Sequence, residues 1–361
     1  MIDSWTDRRV VEMNATIYCT SPETDKRCDG VKLSAKDAKD YSPVKMSLFN
    51  LLTGEENLRF PIYVAMGWDL VEFIRPVEYS KDLLWQIRSD VKNGACKVVV
   101  QKKHYALFEA MVAENLKRRF AQFQKKCPKV SNEFCEAYIG LFLASGYAVR
   151  GGLDSESAFR INRAASEIVT NGLDLNISLR LLLIIATYSP SLYEHSAFSA
   201  MIAALISSQH PTSNVPKAES KIIAQAALLH DIDKTCHKSK KDETTKRESL
   251  GLRELQALIE EGASIHSTVP KILKQSHERF EGSGPMGLSG REEGGERGIC
   301  NGALYLTPSC YIARAMRRST KESPLKISEL INALNEKVGS YFDPEVFGPV
   351  VETLNSRKKA S

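Results

Sequence analysis

A chain of 361 residues with 43% apolar content is long enough for two domains with sizeable cores, and its net charge of +5 is too small for a coat around duplex nucleic acid. Eight cysteines, at positions 19, 28, 96, 127, 135, 236, 300 and 310, form no Cys-x-x-Cys pair, which argues against zinc fingers and disulfide scaffolds and for reduced thiols in the cytoplasm. The segment Met1-Ile2-Asp3-Ser4-Trp5 opens no apolar signal core, and runs such as Leu181 to Ala186 are too short to span a bilayer, so no membrane association is expected.

Residues 1–42 are polar and weakly periodic, and read as a flexible lead-in. Residues 43–125 read as a small α/β module. Ile62-Tyr63-Val64-Ala65 and Leu70-Val71-Glu72-Phe73-Ile74 are β-rich, and Leu83, Leu84, Ile87 and Val91 recur at helical spacing. Cys96 to Val100 is a third β-rich run, and Tyr105 to Phe120 a second amphipathic helix, giving the order β-β-α-β-α. No catalytic constellation stands out in this module, and His104 beside Lys102 and Lys103 reads as a loop end. Pro128 in a polar, basic stretch marks the end of the module.

Residues 126–361 are dominated by helical periodicity. Helices are expected over Phe134 to Val149, Glu156 to Thr170, Ile177 to Tyr188, Ser196 to Ser208, Ala218 to His230, Leu252 to Gly262, Thr268 to Gln275, Cys310 to Arg318, Ile327 to Val338 and Pro344 to Leu354. Two long loops interrupt them, the polar Lys234 to Glu248 and the glycine-rich Glu281 to Gly298. The fold class is therefore α+β, a small α/β module followed by an all-α domain.

The chemistry concentrates in that second domain. The apolar run Ala227-Leu228-Leu229 delivers His230-Asp231, with Lys234 three residues after the aspartate. Imidazole nitrogen and carboxylate oxygen are both ligands for divalent ions. His195 lies upstream. Downstream comes His277-Glu278-Arg279-Phe280-Glu281-Gly282-Ser283-Gly284-Pro285-Met286-Gly287-Leu288, and then Gly339-Ser340-Tyr341-Phe342-Asp343-Pro344. This ordered set, over roughly residues 185–350, resembles the HD-GYP family of metal-dependent cyclic di-GMP phosphodiesterases.

The resemblance implies an all-α HD-type domain, with His195, His230, Asp231 and His277 as metal ligands and with Asp231 and Lys234 as catalytic residues, Lys234 contacting the phosphate or aiding the leaving oxygen. It also implies differences. The positions of an early Glu, a paired His, a further His and a late Asp fall on Ser191, Ser276, near Leu258 and on Ser309, and the signature Tyr is missing before Pro285. No aspartate occurs between Asp242 and Asp343, and Asp233 stands where the family has glycine. Glu278 or His266 remain as substitute ligands. One divalent ion, iron or manganese, two ions, or none are all compatible with this donor set. Arg314, Arg317 and Arg318 are the candidate phosphate-binding residues, because guanidinium matches two phosphate oxygens; an exposed helical face is the plain alternative.

The expected function is that of a degenerate HD-GYP-like regulatory or binding pseudoenzyme, with cyclic di-GMP as a ligand and a protein partner. One alternative is a metal-dependent phosphodiesterase acting on cyclic di-GMP or another phosphoester. The other is a structural scaffold without ligand.

Overall fold

The computed structural model describes residues 31–32, 40–66, 69–92, 97–128, 130–147, 154–209, 216–232, 244–292, 298–317, 327–348 and 351. The chain divides into two compact units, Met1–Asn115 and Leu116–Ser361.

The first unit is built on an antiparallel sheet of strands β1 (Val31–Lys32), β2 (Tyr41–Pro43), β3 (Ile62–Met66), β4 (Asp69–Ile74) and β5 (Lys97–Gln101), in the order β1-β4-β3-β5-β2. A short helix α1 (Met46–Phe49) follows β2, α2 (Lys81–Lys92) precedes β5, and α3 (Lys102–Lys126) leaves it. Strand β5 pairs on both sides, with β3 and β2, and its Val98, Val99 and Val100 are all buried. A continuous valine run suits a strand covered on both faces. The three inner strands lie where the β-branched runs place them. The edge strands differ from the sequence reading, because Val31–Lys32 and Tyr41 belong to the polar segment read as a lead-in. Two or three residues pairing at a sheet edge leave no periodicity to detect.

Within this unit Glu56 is a hydrogen-bond hub. Its carboxylate accepts from the Thr53 and Gly54 backbone amides at 2.7 and 2.9 Å, and from the Thr53, Tyr79 and Asn115 side chains. Burial alone would raise this carboxyl, but the hydrogen bonds, led by those of Tyr79 and Thr53, outweigh it and lower it to about 2. A depressed carboxylate stabilises the fold above its unfolded value, and the benefit fades as pH falls toward the folded one. Glu56→Gln is therefore expected to cost about 1–2 kcal/mol at neutral pH, the scale of one charge-assisted hydrogen bond after solvent screening. The gap from wild type should close as pH drops from about 4.5 toward 2. Urea unfolding followed by tryptophan emission reads it, since the tryptophans of the sequence, at positions 5, 68 and 85, all precede residue 116.

The second unit is helical: α4 (Asn132–Tyr147), α5 (Ser155–Thr170), α6 (Leu175–Tyr188), α7 (His195–Gln209), α8 (Lys217–Leu229), α9 (Thr244–Glu260), α10 (Val269–Gln275), α11 (Asn301–Arg317) and α12 (Ile327–Asn335). Residues 344–348 form a further helical turn. Helices α7 and α8 are its centre; α5 and α11 each pack on both. Both central helices are buried nearly all round, and small residues (Ala197, Ala200, Ala203 and Ala204 on α7; Ala224, Ala226 and Ala227 on α8) line them. Side chains of that size let two backbones approach closely. Asp154 and Asp174 cap α5 and α6 by accepting from Ser157 and Ile177 backbone amides. Among the described residues no helix is long and apolar enough to cross a membrane.

Two helices start about two turns ahead of their sequence pattern. α9 begins at Thr244, inside the stretch read as a loop, and α11 begins at Asn301 rather than Cys310. Pro308 lies within α11, and the buried Ala303, Leu304, Tyr305 and Leu306 ahead of it hold the helix together across the break.

Candidate metal centre

The site is set by the two ends of the central helices. The 3-10 turn Pro190–Leu192 leads into α7, and the buried Tyr138 hydroxyl donates to the Leu192 carbonyl at 2.6 Å. Glu194, itself buried, accepts from the Ala197 amide at 2.8 Å and so caps the first turn of α7, fixing His195 as its first residue. At the other end, α8 stops at Leu229. His230 still has helical dihedrals, φ −62° and ψ −20°, and Asp231 follows in the turn.

His195, His230 and Asp231 each offer one ligand atom, and the three atoms lie within 4.8 Å of one another. Among the described residues this is the one such group of histidine, cysteine and carboxylate donors. The two imidazoles meet edge to face with centroids 4.9 Å apart, and His230 Nε2 is 3.3 Å from Asp231 Oδ1.

Hydrogen bonding fixes the tautomers. A carbonyl only accepts, so the 2.7 Å contact between His230 Nδ1 and the Ala227 oxygen places a proton on Nδ1. His230 Nε2 is buried without a hydrogen-bond partner. The Tyr193 hydroxyl donates its single hydrogen to the Ala313 carbonyl at 3.0 Å, so its 3.2 Å contact with His195 Nδ1 is one in which the imidazole donates. With Nδ1 carrying a proton, the neutral form of each ring has its lone pair at Nε2. A metal-ligating histidine usually makes this kind of second bond.

Burial alone would lower the His230 imidazole. The neighbouring Cys310 side chain, the Asp231 carboxylate and the Ala227 carbonyl outweigh that and raise it to about 9. A cation seated at Nε2 displaces that proton. Burial holds the Tyr193 phenol well above its usual range, against the opposing pull of Arg317 and Arg314, so the hydroxyl keeps the proton it donates. Tyr193→Phe should leave the fold intact and weaken divalent-ion binding by roughly 10–100-fold, the usual cost of losing an outer partner of a ligand. Calorimetric titration with manganese measures it.

The remaining sequence candidates are distributed as follows. His277 is an exposed turn residue and is not part of the three-donor group. Arg314 and Arg317 are exposed on the last turns of α11, close enough to Tyr193 to act on its phenol. Lys234 and Arg318 lie outside the described residues, as does Asp233. His266 is exposed, and its Nδ1 accepts from the Thr268 amide at 3.2 Å.

Glu278 has a different task from ligation. It is buried, and its two oxygens accept from the Met286 and Leu288 amides at 2.7 and 2.9 Å. The glycine-rich segment is folded around this carboxylate. A Cβ at Gly284 would stand 2.6 Å from Glu278 Cα and 2.9 Å from the Arg279 amide nitrogen, and Gly282 has a φ of +89°. Gly284→Ala is expected to destabilise the helical unit by about 1–3 kcal/mol through overpacking against backbone, measured as a lower urea midpoint by far-ultraviolet circular dichroism.

The four positions where the family pattern expects further ligands have local roles. Ser191 accepts from Arg119 at 2.6 Å, Ser276 donates to the Leu273 carbonyl at 2.8 Å, and Ser309 donates to the Tyr305 carbonyl at 2.7 Å. Leu258 is buried on α9. Sequence reasoning missed Tyr193 and the Glu278 clamp, although Tyr193 stands two residues before His195.

Residues 192–336 match the family model described as HD domain. The chain carries an HD domain. The match begins just before His195 and encloses the whole three-donor group. Among solved structures the chain is similar to "Bd1817, a HDG"Y"P protein from Bdellovibrio bacteriovorus", with 15% identity, a TM-score of 0.53, and coverage of 89% of this chain and 100% of that one. At that identity the likeness is one of fold, which this chain shares with an HD-GYP-type protein. No curated protein matches the chain. The HD domain's donors here fit a single divalent ion: two imidazoles and one carboxylate whose ligand atoms lie within 4.8 Å of one another.

Proposed function

We propose that the HD domain of this protein holds one divalent ion and binds a phosphoester ligand, with cyclic di-GMP as the leading candidate, and that it acts as a regulatory binding protein with little or no hydrolysis. The observation that carries this reading is the size of the donor group, three ligand atoms from His195, His230 and Asp231 among the described residues. Three such ligands suit one ion, and a pair of ions needs more. A divalent ion held there would polarise a phosphoryl oxygen and acidify water.

The surrounding residues support phosphate recognition. Arg314 and Arg317 project from the helix whose Ala313 carbonyl is tied through Tyr193 to His195. Two guanidinium groups beside a cationic centre attract an anionic ligand and orient it by paired hydrogen bonds. Lys234, as a phosphate contact, belongs to the same proposal. The cytoplasm fits a nucleotide ligand of this kind, and a protein partner would read out its binding.

The test is a calorimetric titration of the manganese-loaded chain with cyclic di-GMP, with turnover followed by chromatography of the linear product. Binding without product supports the regulatory reading. Rapid conversion to the linear dinucleotide sinks it in favour of a phosphodiesterase. The double change Arg314→Ala and Arg317→Ala is expected to weaken cyclic di-GMP binding at least about tenfold, and to flatten its salt dependence. Iron and manganese remain the proposed ions on the family pattern alone.

A further inference from the structure

The turn that delivers His195 is gripped from two sides by residues that stand apart from the ligands. Tyr138 lies near the middle of α4 and is fully buried. Its hydroxyl donates to the Leu192 carbonyl at 2.6 Å, one residue ahead of Tyr193. Burial holds this phenol well above its usual range, so the hydroxyl stays a donor. Its ring meets the Phe198 ring edge to face with centroids 5.6 Å apart, and Phe198 in turn meets the Tyr193 ring at 4.6 Å. Tyr193 then accepts from His195 Nδ1 at 3.2 Å. Two neighbouring residues of α3, both in the part of it that belongs to the helical unit, reach the same turn. Phe120 packs edge to face on Tyr138 at 5.6 Å, and Arg119 donates to the Ser191 hydroxyl at 2.6 Å. Phe120, Tyr138, Phe198 and Leu192 are all buried. Contacts packed in this way pass a displacement on, because a close-packed interior yields little.

We infer that Tyr138 is a positioning residue of the metal centre, holding Leu192 and Phe198 so that Tyr193 and His195 bring the imidazole to the ion, with the Arg119–Ser191 bond as a weaker second tie. The inference rests on the one-ion reading above and deepens it. Tyr138 is not one of the three donors and acts through Tyr193. Loss of its hydroxyl leaves the buried Leu192 carbonyl short of a donor, and the turn relaxes to recover one, carrying Tyr193 and His195 with it. A metal centre feels such a shift because its donors must meet at one point, to within about 0.2 Å. His230 is held separately, by the Ala227 carbonyl, so the disturbance falls on one imidazole and not on both.

The test is a calorimetric titration of the full chain with manganese, at a temperature where circular dichroism shows every variant folded. Tyr138→Phe keeps the ring and removes only the hydroxyl. It is expected to weaken manganese binding about tenfold, the lower end for groups outside the ligand set. Ser191→Ala breaks the Arg119 bond without removing the arginine's charge, and is expected to cost about threefold because that bond is exposed. Since Tyr138 acts through Tyr193, the double change Tyr138→Phe with Tyr193→Phe should bind no more than about twofold worse than Tyr193→Phe alone. Asp154→Ala removes the cap of α5 and controls for stability: it should lower the urea midpoint and leave manganese affinity unchanged. Manganese binding by wild type with no loss in Tyr138→Phe overturns the inference and leaves the one-ion site standing. Losses that multiply in the double change overturn it as well, as does a loss in Asp154→Ala that matches the loss in Tyr138→Phe. No manganese binding by wild type overturns both readings together.

Discussion

His230→Ala is expected to lower divalent-ion affinity at least about 100-fold, the largest single loss in the site. His230 Nε2 is buried, has no hydrogen-bond partner, and is the ligand atom with least alternative use. Its ring is positioned twice, by the Nδ1 proton on the Ala227 carbonyl and by the edge contact with His195. Alanine removes the ligand and loosens the orientation of the other imidazole. The fold should survive, because the surrounding helix end is held by Leu228, Leu229 and Ile232, all buried. Manganese titration by calorimetry, with circular dichroism as the control for folding, gives the result. Asp231→Ala is the companion, since that side chain is 29% exposed and costs less packing. Unchanged ion binding in both variants would end the metal-centre interpretation.

Asp343→Ala is expected to destabilise the helical unit by about 3 kcal/mol, near the lower bound for breaking a buried ion pair. Asp343 is 1% exposed. It accepts from Arg291 through both oxygens, one of these bonds being 2.9 Å, and it caps the helical turn at 344–348 by accepting from the Glu345 amide at 2.8 Å. Arg291 is held above its ordinary value, chiefly by the hydrogen bond to Asp343, and it reaches Glu345 at 2.9 Å. Because Arg291 keeps a third of its side chain in water and retains Glu345, the loss stays short of the full penalty for a stranded charge. Asp343→Asn should recover about 1 kcal/mol by keeping the cap. Urea unfolding by far-ultraviolet circular dichroism measures both. A loss under 0.5 kcal/mol, the scale of an ordinary surface change, would mean that the pair is not structural.

The segment 339–343 explains why its sequence pattern takes the form it does. Gly339 has a φ of +85°, Phe342 is buried against Tyr311 and Phe347, and Asp343 joins the glycine-rich segment through Arg291. The backbone completes the join, with Phe280 and Glu281 amides donating to the Tyr341 and Ser340 carbonyls. Arg279 lies 4.4 Å from the Tyr341 ring centre and adds a cation–π contact.

Much of the helical unit was legible because its helices repeat apolar residues at the right interval, as in α5 and α12. The boundaries failed where a local signal competed with packing. Pro308 forbids one hydrogen bond of α11, and a reader of propensities stops there. The buried side chains on both sides of Pro308 outweigh that local cost. In the site, His230 and Asp231 were visible as adjacent ligand types after an apolar run, and His195 as a histidine opening another. Tyr193 and Glu278 act through their neighbours in space. A hydroxyl bonded to a carbonyl 120 residues away leaves no trace in spacing.

The single hydrogen of Tyr193 has one more implication. It is given to Ala313, which obliges His195 to spend its own on the phenol oxygen. His230 is likewise committed to Ala227. Once their other nitrogens hold an ion, neither imidazole is left to ferry protons. Any turnover by this domain must draw its proton carrier from solvent or from a side chain beyond the three ligands, and its pH profile would report that carrier and not the histidines.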